Sequence, residues 1–355
     1  MRVLVCPTAF KESLSATRLV DAIGEGVLRA GPDSTLRRMP VSDGGPGLLD
    51  AIAETEGGEI RTFRVRGPLG EPVSARTLWS SPTDVVIETA EACGLHLVAP
   101  AARDPMRADT RGVGELVLRC LDEGATGLSL GLGGSATVDG GTGLGRVFGY
   151  RFSGTDGVDL GAGGGFLADL QRIEPGAPPA PGVIFTAIAD VRAPLSGPGG
   201  AARTFGPQKG AGPAEVEVLE EGLARLGDRL RCDLGYDVAS HPGTGAAGGL
   251  GAGCVAFLGA ALESGSEWVL RRVGFDAALD AADLVITGEG EWDATSGLGK
   301  ITHEILRRAQ SRGVPAFLVC GTINAQAPTG VTIIGGDGAW LEPQDVTRLV
   351  ADALG

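Results

Sequence analysis

The stretch RVLVCPTAFKESLSATRLVDAIGEGVLRAGPDSTLRRMPV, residues 2–41, decides the fold class. Its first residues, 2–7, are a short apolar run that predicts a buried strand, and Pro7 ends that strand. Apolar residues then recur at helical spacing to about Ala30, namely Leu14, Leu19, Ala22, Ile23 and Val27. Residues 35–41 predict a second strand and residues 44–56 a second helix. This alternation is typical of a parallel α/β sheet.

The same alternation returns near the end of the chain. Residues 283–287, 315–321 and 331–335 predict strands, and residues 300–311 and 346–353 predict helices. Between the two ends, residues 59–89 contain short β-rich runs separated by turns, which predict an antiparallel meander. The simplest arrangement is a doubly wound parallel sheet built from residues 1–58 and 277–355, with an inserted mixed α/β domain over 59–276. We expect the active site in the cleft between them.

Composition restricts the class of partner. The 355 residues carry a formal net charge of −14, which argues against nucleic acid or an anionic membrane. With 43% hydrophobic residues the chain can fill two cores, but no apolar run approaches the ~18 residues of a membrane span. The N-terminal apolar run is too short for a signal peptide. The 6 cysteines are scattered without CxxC pairs, which predicts reduced thiols in a cytoplasmic protein.

The glycine run GGSATVDGGTG, residues 133–143, carries the strongest functional signal. It follows an apolar segment that predicts a buried strand. Glycines allow close approach of backbone to a ligand, and Ser135 and Thr137 supply hydroxyl groups. A helix starting here would point amide groups at an anion, and Asp139 would suit magnesium or proton transfer. The alternative is a strand-to-helix turn in which Asp139 caps a helix.

Four further segments have a similar character: SDGGPG (42–47), FGPQKGAG (205–212), GTGAAGGLGAG (243–253) and TGEGEWD (287–293). Together they suggest several loops around a phosphorylated ligand. Phosphoryl transfer needs cations near the γ-phosphate, a magnesium site and an acidic group for the acceptor hydroxyl. The candidates are the cations Lys11, Lys209 and Lys300 and the carboxylates Asp43, Asp139, Asp190, Glu289 and Asp293. For each one alone, a helix cap or a solvated loop charge is the alternative.

A nicotinamide-dependent oxidoreductase is a second hypothesis. The segment GTGAAG (243–248) matches G-x-G-x-x-G, but no predicted strand precedes it. The segment GLGGSA (131–136) follows a strand, but no acidic residue is evident at the required later strand end. The segment SGLGKIT (296–302) lacks the upstream glycine and the hydroxyl residue of a Walker A loop.

Taken in order, six segments resemble the bacterial type I glycerate kinase family: FKESLSA (10–16), PVSDGGPG (40–47), GGSATVDGG (133–141), FGPQKGA (205–211), GAAGGLGA (245–252) and DLVITGEG (283–290). They extend over nearly the whole chain. The resemblance implies phosphorylation of D-glycerate with ATP and Mg²⁺. It also implies two α/β domains, one of them flavodoxin-like, with the active site between them.

On this basis we predict the roles of individual residues. The predicted catalytic residues are Asp190, Lys11 and Asp293, and the predicted metal ligands are Asp139, Glu289 and Asp293. The predicted substrate- and phosphate-binding residues are Asp43, Gly44, Gly45, Gly134, Ser135, Thr137, Arg192, Lys209, Gly248, Gly249 and Lys300. Asp190 is favoured as the base, because it ends a buried run at 183–189, whereas Asp293 lies on a more polar loop.

Several positions depart from the pattern of that family. Thr8 and Ala9 stand where an acidic residue is common, and Pro46 and Leu48 replace Glu and Thr. In addition, Val138 replaces Asn, Arg192 and Ala193 replace Asp and Asn, and Glu291 replaces Arg. These changes predict an altered substrate pocket or reduced activity, and they motivate a third hypothesis, a non-catalytic metabolite-binding relative. The hydroxyl that accepts phosphate, and the choice between monomer and homodimer, stay open.

Overall fold

A computed structural model describes residues 1–10, 13–177, 179–293, 300–326, 328–338 and 342–355. Its strands are β1 (Arg2–Val5), β2 (Thr35–Arg38), β3 (Glu59–Arg66), β4 (Pro72–Trp79), β5 (Asp84–Glu88), β6 (Gly127–Gly131), β7 (Arg151–Ser153), β8 (Arg172–Glu174), β9 (Ile184–Ile188), β10 (Ala261–Glu263), β11 (Leu284–Trp292), β12 (Ala316–Ile323) and β13 (Val331–Gly335). Its helices are α1 (Ala16–Ala30), α2 (Leu48–Glu56), α3 (Ala90–Cys93), α4 (Arg111–Asp122), α5 (Thr142–Val147), α6 (Ala201–Phe205), α7 (Pro213–Leu234), α8 (Ala246–Leu258), α9 (Gly265–Arg272), α10 (Phe275–Asp280), α11 (Ile301–Ser311) and α12 (Pro343–Leu354).

The chain divides into two compact units. The first comprises Met1–Asp43, Gly47–Gly57 and Ser264–Gly355, and the second comprises Gly44–Pro46 and Gly58–Glu263. The helices α9 and α10 therefore belong to the first unit, although residues up to 276 were predicted in the inserted domain. They form the connection into β11. The domain boundaries and the cleft between the domains stay predictions.

The first unit contains a five-stranded parallel sheet in the order β2-β1-β11-β12-β13. Numbered within this unit the order is 2-1-3-4-5, which is the flavodoxin order, and the strand order reverses between β1 and β11. The predicted alternation and the fold class are confirmed. Ligands of such sheets bind beyond the carboxyl ends of the strands at this reversal.

Buried apolar side chains explain why these elements form. Val5, Ile23 and Ile286 have no exposed surface and share one core with α12. Helix α1 begins where the Ser15 hydroxyl accepts a hydrogen bond from the Arg18 amide at 3.3 Å. The predicted helix at 44–56 is wrong in its first turn, since α2 begins at Leu48. Gly47, which precedes it, has a φ of 91° and cannot continue a right-handed helix.

The second unit contains a six-stranded mixed sheet in the order β10-β9-β6-β5-β4-β3. The pairs β3–β4 and β4–β5 are antiparallel, which confirms the predicted meander, and the pairs of β5, β6, β9 and β10 are parallel. The parallel strands β6 and β9 end side by side, with Gly131 opposite Ile188. Two loops therefore start from the same edge.

The core of the second unit lies against α7 and α8. Four leucines form a stripe along α7 that packs in this core, and all of them are fully buried: Leu219, Leu223, Leu226 and Leu230. Among the described residues, no helix has both the length and the apolar character that crossing a bilayer requires.

Candidate active site

Two loops meet at the carboxyl ends of β6 and β9 in the second unit. The Leu132 amide donates to the Ile188 carbonyl at 2.9 Å, so the two strands stay paired up to the point where the loops begin. Gly133 and Gly134 follow on one loop and Asp190 on the other. This edge is where a parallel sheet offers backbone amides and loop side chains to a ligand.

The Gly44–Pro46 segment packs onto the same edge. A Cβ atom at Gly44 would lie 3.2 Å from the Ile188 carbonyl oxygen. A Cβ atom at Gly133 would lie 2.6 Å from the Cα atom of Gly45, so only two glycines allow this approach. Gly134 is exposed, and the amides of Gly133 and Gly134 have no acceptor among the described residues. The structure thus brings together the predicted residues Gly44, Gly45 and Gly134.

Asp139 lies at the starts of two helices. Its carboxylate accepts hydrogen bonds from the amide and hydroxyl of Thr110, 3.0 and 2.8 Å away, and Thr110 immediately precedes α4. It also accepts from the amides of Gly141 and Gly143 at the start of α5, at 3.2 and 2.9 Å. The carboxylate therefore occupies the anion position of this helix, as the capping alternative predicted.

The electrostatics of Asp139 follow from its burial. Asp139 has no exposed surface, and burial raises the pKa of its carboxyl group, whereas the four hydrogen bonds lower it. Both oxygens are engaged by donors of the chain itself. This geometry argues against Asp139 as a magnesium ligand and assigns it a structural role.

Lys209 holds the glycine run from inside. Its ammonium donates to the Ser135 hydroxyl oxygen at 2.9 Å and to the Thr137 carbonyl at 2.7 Å. The residue is only 3% exposed, and burial lowers the pKa of its ammonium to about 8, although Cys93 and Asp139 oppose that shift. Three predicted residues, Ser135, Thr137 and Lys209, thus form one buried cluster.

Gly248 and Gly249 have a packing explanation. A Cβ atom at Gly248 would lie 1.9 Å from the Thr137 carbonyl oxygen, and one at Gly249 would lie 2.8 Å from the Cα atom of Gly140. Both glycines are buried and have positive φ angles of 71° and 89°. They let the start of α8 touch the glycine run, which argues against direct phosphate contacts. The segment 243–248 follows a turn rather than a strand, so it lacks the context of a dinucleotide site.

Asp190 and Arg192 lie on a firmly anchored loop. Asp190 is half-buried and Arg192 is exposed. The loop continues through Ala193, whose carbonyl accepts from the Gly245 amide at 3.0 Å, and Leu195, which is fully buried. Asp190 is therefore held between two fixed segments, as a general base requires.

The other predicted residues belong to the first unit. Glu289 lies on β11, and its carboxylate is 3.7 Å from the ammonium of Lys300, which directly precedes α11. The side chains of Glu289 and Lys300 are 14% and 31% exposed, respectively. Asp293 directly follows β11 and is half-buried. Glu289 thus lies in the second half of β11 and Asp293 just past its end, and β11 borders the reversal of strand order.

Asp43 and Lys11 complete the set of predicted site residues. Asp43 is exposed beyond the end of β2. Lys11 lies outside the described residues. The neighbouring Thr8 donates from its amide and its hydroxyl to the Gly288 carbonyl, at 2.9 and 3.0 Å, and so ties the end of β1 to β11.

Thr110 and Asp109 were not predicted. Thr110 supplies two of the four hydrogen bonds of Asp139, and its hydroxyl also accepts from the Leu144 amide at 3.1 Å. Burial and the nearby Asp139 carboxylate raise the pKa of Asp109 to about 6. The only sequence signal is that Thr110 directly precedes α4, a common place for a hydroxyl residue.

A flavodoxin-like parallel sheet and a second unit with a glycine loop suited to anions define a two-unit α/β protein. The model of the glycerate kinase family matches residues 3–335. The chain belongs to the glycerate kinase family.

Individual relatives agree with this assignment. A glycerate kinase from Halalkalibacterium halodurans is 41% identical over 324 residues, which cover 90% of this chain and 85% of the relative. A glycerate 2-kinase from Escherichia coli is 40% identical over 329 residues, or 91% of this chain and 86% of the relative. The crystal structure of a glycerate kinase 2 from Salmonella typhimurium is 35% identical, with a TM-score of 0.84, covering 100% of this chain and 97% of that chain.

Proposed function

We propose that this chain transfers the γ-phosphoryl group of ATP to a hydroxyl group of glycerate. Membership of the glycerate kinase family supports the reaction class. The observation that carries the proposal is the edge formed by Gly133, Gly134 and Asp190. It combines amides without an acceptor among the described residues with a carboxylate on a fixed loop. Such amides suit phosphate or carboxylate oxygens, and the carboxylate suits a hydroxyl group.

Glycerate is an acid, and Arg192 offers a cation for its carboxylate. The exposed guanidinium lies two residues beyond Asp190, on the same anchored loop. A guanidinium can bind a carboxylate through two parallel hydrogen bonds, which also fixes the orientation of the acid. Orientation of the substrate would place its hydroxyl group next to Asp190.

In the reaction, Asp190 accepts the proton of the acceptor hydroxyl as its oxygen bonds to the γ-phosphorus atom. The bond between that phosphorus atom and the β,γ-bridging oxygen breaks, and ADP leaves with the electron pair. The cationic residues that we assign to the γ-phosphate are Lys300 and Lys11. The amides of Gly133 and Gly134 are assigned to the anionic oxygens of the bound ligands.

The carboxylates of the first unit fit Mg²⁺ better than Asp139 does. Mg²⁺ in kinases is held by one or two carboxylates together with phosphate oxygens and water. Glu289 in the second half of β11 and Asp293 just past its end would supply those carboxylates, whereas the oxygens of Asp139 are engaged by four donors. When bound, Mg²⁺ neutralises charge on the transferred group.

The name of the E. coli relative, a glycerate 2-kinase, guides the choice of hydroxyl. We assign the 2-hydroxyl group as the acceptor and 2-phosphoglycerate as the product. We place the enzyme in the cytoplasm, where ATP is available and where unpaired thiols such as those of this chain stay reduced.

Release of ADP measured by a coupled assay tests the proposal. With Mg²⁺–ATP, ADP should form when D-glycerate is present and stay at background when it is omitted. L-glycerate and D-lactate serve as controls for the stereochemistry and for the second hydroxyl group. ADP formation that does not depend on D-glycerate would refute the proposal.

A further inference from the structure

Lys209 is the last residue of the short turn Pro207–Lys209, and its side chain is buried. A lysine in a kinase can contact phosphate directly, or it can shape the loop that does so. The two roles differ in where the ammonium lies and which atoms it contacts. The contacts of Lys209 distinguish them.

The turn that carries Lys209 is fixed by the backbone around it. The guanidinium of Arg103 donates to the Gln208 carbonyl at 3.2 Å. A Cβ atom at Gly210 would lie 2.8 Å from the Arg103 carbonyl oxygen, so the chain on both sides of Lys209 packs against one residue. The lysine side chain therefore starts from a defined point.

The ammonium group at the end of the Lys209 side chain contacts the glycine run. Two of the three ammonium hydrogens are used, one by the Ser135 hydroxyl oxygen and one by the Thr137 carbonyl. Gly134, next to Ser135, is exposed, whereas Ser135 is 4% and Lys209 is 3% exposed. The glycine run is thus exposed to solvent at Gly134, whereas the Lys209 side chain that holds it is buried.

Charge explains how a lysine is tolerated there. A buried ammonium costs free energy unless donors, acceptors and opposite charge compensate it. The buried Asp139 carboxylate acts favourably on Lys209, and Ser135 and Thr137 accept two of its three ammonium hydrogens. The cluster of Lys209, Ser135, Thr137 and Asp139 thus sets one positive charge against one negative charge within the chain.

We propose that Lys209 is a positioning residue, which fixes the 133–141 loop through Ser135 and Thr137 and does not itself contact a phosphate group. This inference rests on the proposed kinase function. Its consequence is that the amides of Gly133 and Gly134 are held in place before any ligand binds. Such preorganisation raises kcat more than it lowers KM.

The pH profile separates the two roles. A neutral amine keeps two N–H donors, enough for Ser135 and Thr137, but it has lost the charge that a phosphate contact needs. The groups that influence its titration are Cys93 and Asp139. If Lys209 positions the loop, loss of its charge near pH 8 should not lower kcat/KM for ATP. A fall in kcat/KM near pH 8 that is present in the wild type and absent from Lys209→Met would indicate a phosphate contact.

The experiment measures kcat, both KM values and this profile for the wild type, Lys209→Met and Ser135→Ala. Arg231→Met, at a surface arginine paired with Asp228, is the control and should be unchanged. We expect Lys209→Met to lower kcat at least about tenfold, while both KM values stay within about threefold of the wild-type values. Ser135→Ala should also lower kcat with little change in either KM, but by a smaller factor. If Lys209→Met does not fold, kcat and both KM values of Ser135→Ala still decide.

Two results would overturn the inference. The first combines two observations: kcat/KM for ATP of the wild type falls near pH 8, and Lys209→Met has a KM for ATP that is raised by a matching factor. The other is a Ser135→Ala enzyme with wild-type kcat. A wild-type enzyme without any glycerate-dependent turnover would instead reject the proposed function, so the two failures are distinguishable.

Discussion

Thr110 donates two hydrogen bonds to one carboxylate oxygen of Asp139, at 3.0 Å from its amide and 2.8 Å from its hydroxyl. The two residues are 29 positions apart, and the contact joins the start of α4 to the glycine run. A buried carboxylate that accepts several hydrogen bonds is strongly tied to its donors. The glycine run is therefore anchored by Asp139 on one side and by Lys209 on another.

Asp139→Asn should destabilise the protein by about 2–4 kcal/mol, because the amide nitrogen would face donors and leave buried amides unpaired. Urea unfolding followed by circular dichroism measures the change. Asp122→Asn, at an exposed aspartate of α4, is the control and should change stability by less than about 0.5 kcal/mol. If Asp139→Asn is as stable as the wild type but needs a higher Mg²⁺ concentration for activity, Asp139 would instead be supported as a metal ligand.

Gly248→Ala should cost more than about 3 kcal/mol, because a Cβ atom would lie 1.9 Å from the Thr137 carbonyl oxygen. The matched control is Gly235→Ala. Gly235 also has a positive φ, 81°, but a Cβ atom there meets nothing within 4 Å, so only the backbone cost of about 1 kcal/mol applies. Thermal unfolding should rank the two variants in this order. Equal losses would mean that the close approach of α8 to the glycine run contributes nothing.

Ionisation of Asp109 should make the free energy of unfolding depend on pH. Its pKa, about 6 in the folded protein against 3.8 ordinarily, means that the folded state binds more protons between those values. The free energy of unfolding should therefore fall as pH rises from about 4 to about 6 and then level off. Asp109→Asn should lack this fall and be more stable at pH 7.5 by about 1–2 kcal/mol.

Urea unfolding at pH 5 and pH 7.5 checks that expectation. The advantage of Asp109→Asn should be larger at pH 7.5 than at pH 5. The amide oxygen of asparagine can still accept from the Arg111 amide, which lies 2.9 Å from the carboxylate in the wild type. An advantage that is absent at pH 7.5 would show that ionised Asp109 is not penalised by burial.

Local patterns predicted the elements well, because apolar periodicity reflects the face that each element buries. The strand 331–335 and the helix predicted over 300–311 are examples. These local patterns do not predict contacts between residues that are far apart in the sequence. The acceptors of Lys209 are 72 and 74 residues away, and the approach of Gly248 to Thr137 depends on how α8 packs. In the sequence, Asp139 fitted both a metal site and a helix cap, and the four donors around its carboxylate in the structure favour the cap.

Arg192→Ala should raise KM for glycerate at least about tenfold and change kcat by less than about threefold, since its proposed role is to bind the carboxylate of the ground state. Arg203→Ala is the control. Arg203 lies on α6, 2.5 Å from Glu217, and should leave both constants unchanged. An unaffected KM in Arg192→Ala would place its guanidinium outside the substrate pocket.

Transfer of phosphate from ATP to glycerate, with Asp190 as the base, can be followed by ³¹P NMR of the reaction mixture. ATP, Mg²⁺ and D-glycerate should yield one phosphoglycerate for each ADP, with the phosphorus coupled to the proton at carbon 2. Asp190→Asn should slow this conversion by about 10²–10⁴-fold while ATP affinity changes little. Inorganic phosphate as the product would rule out transfer to glycerate, and an Asp190→Asn enzyme with wild-type turnover would rule out Asp190 as the base.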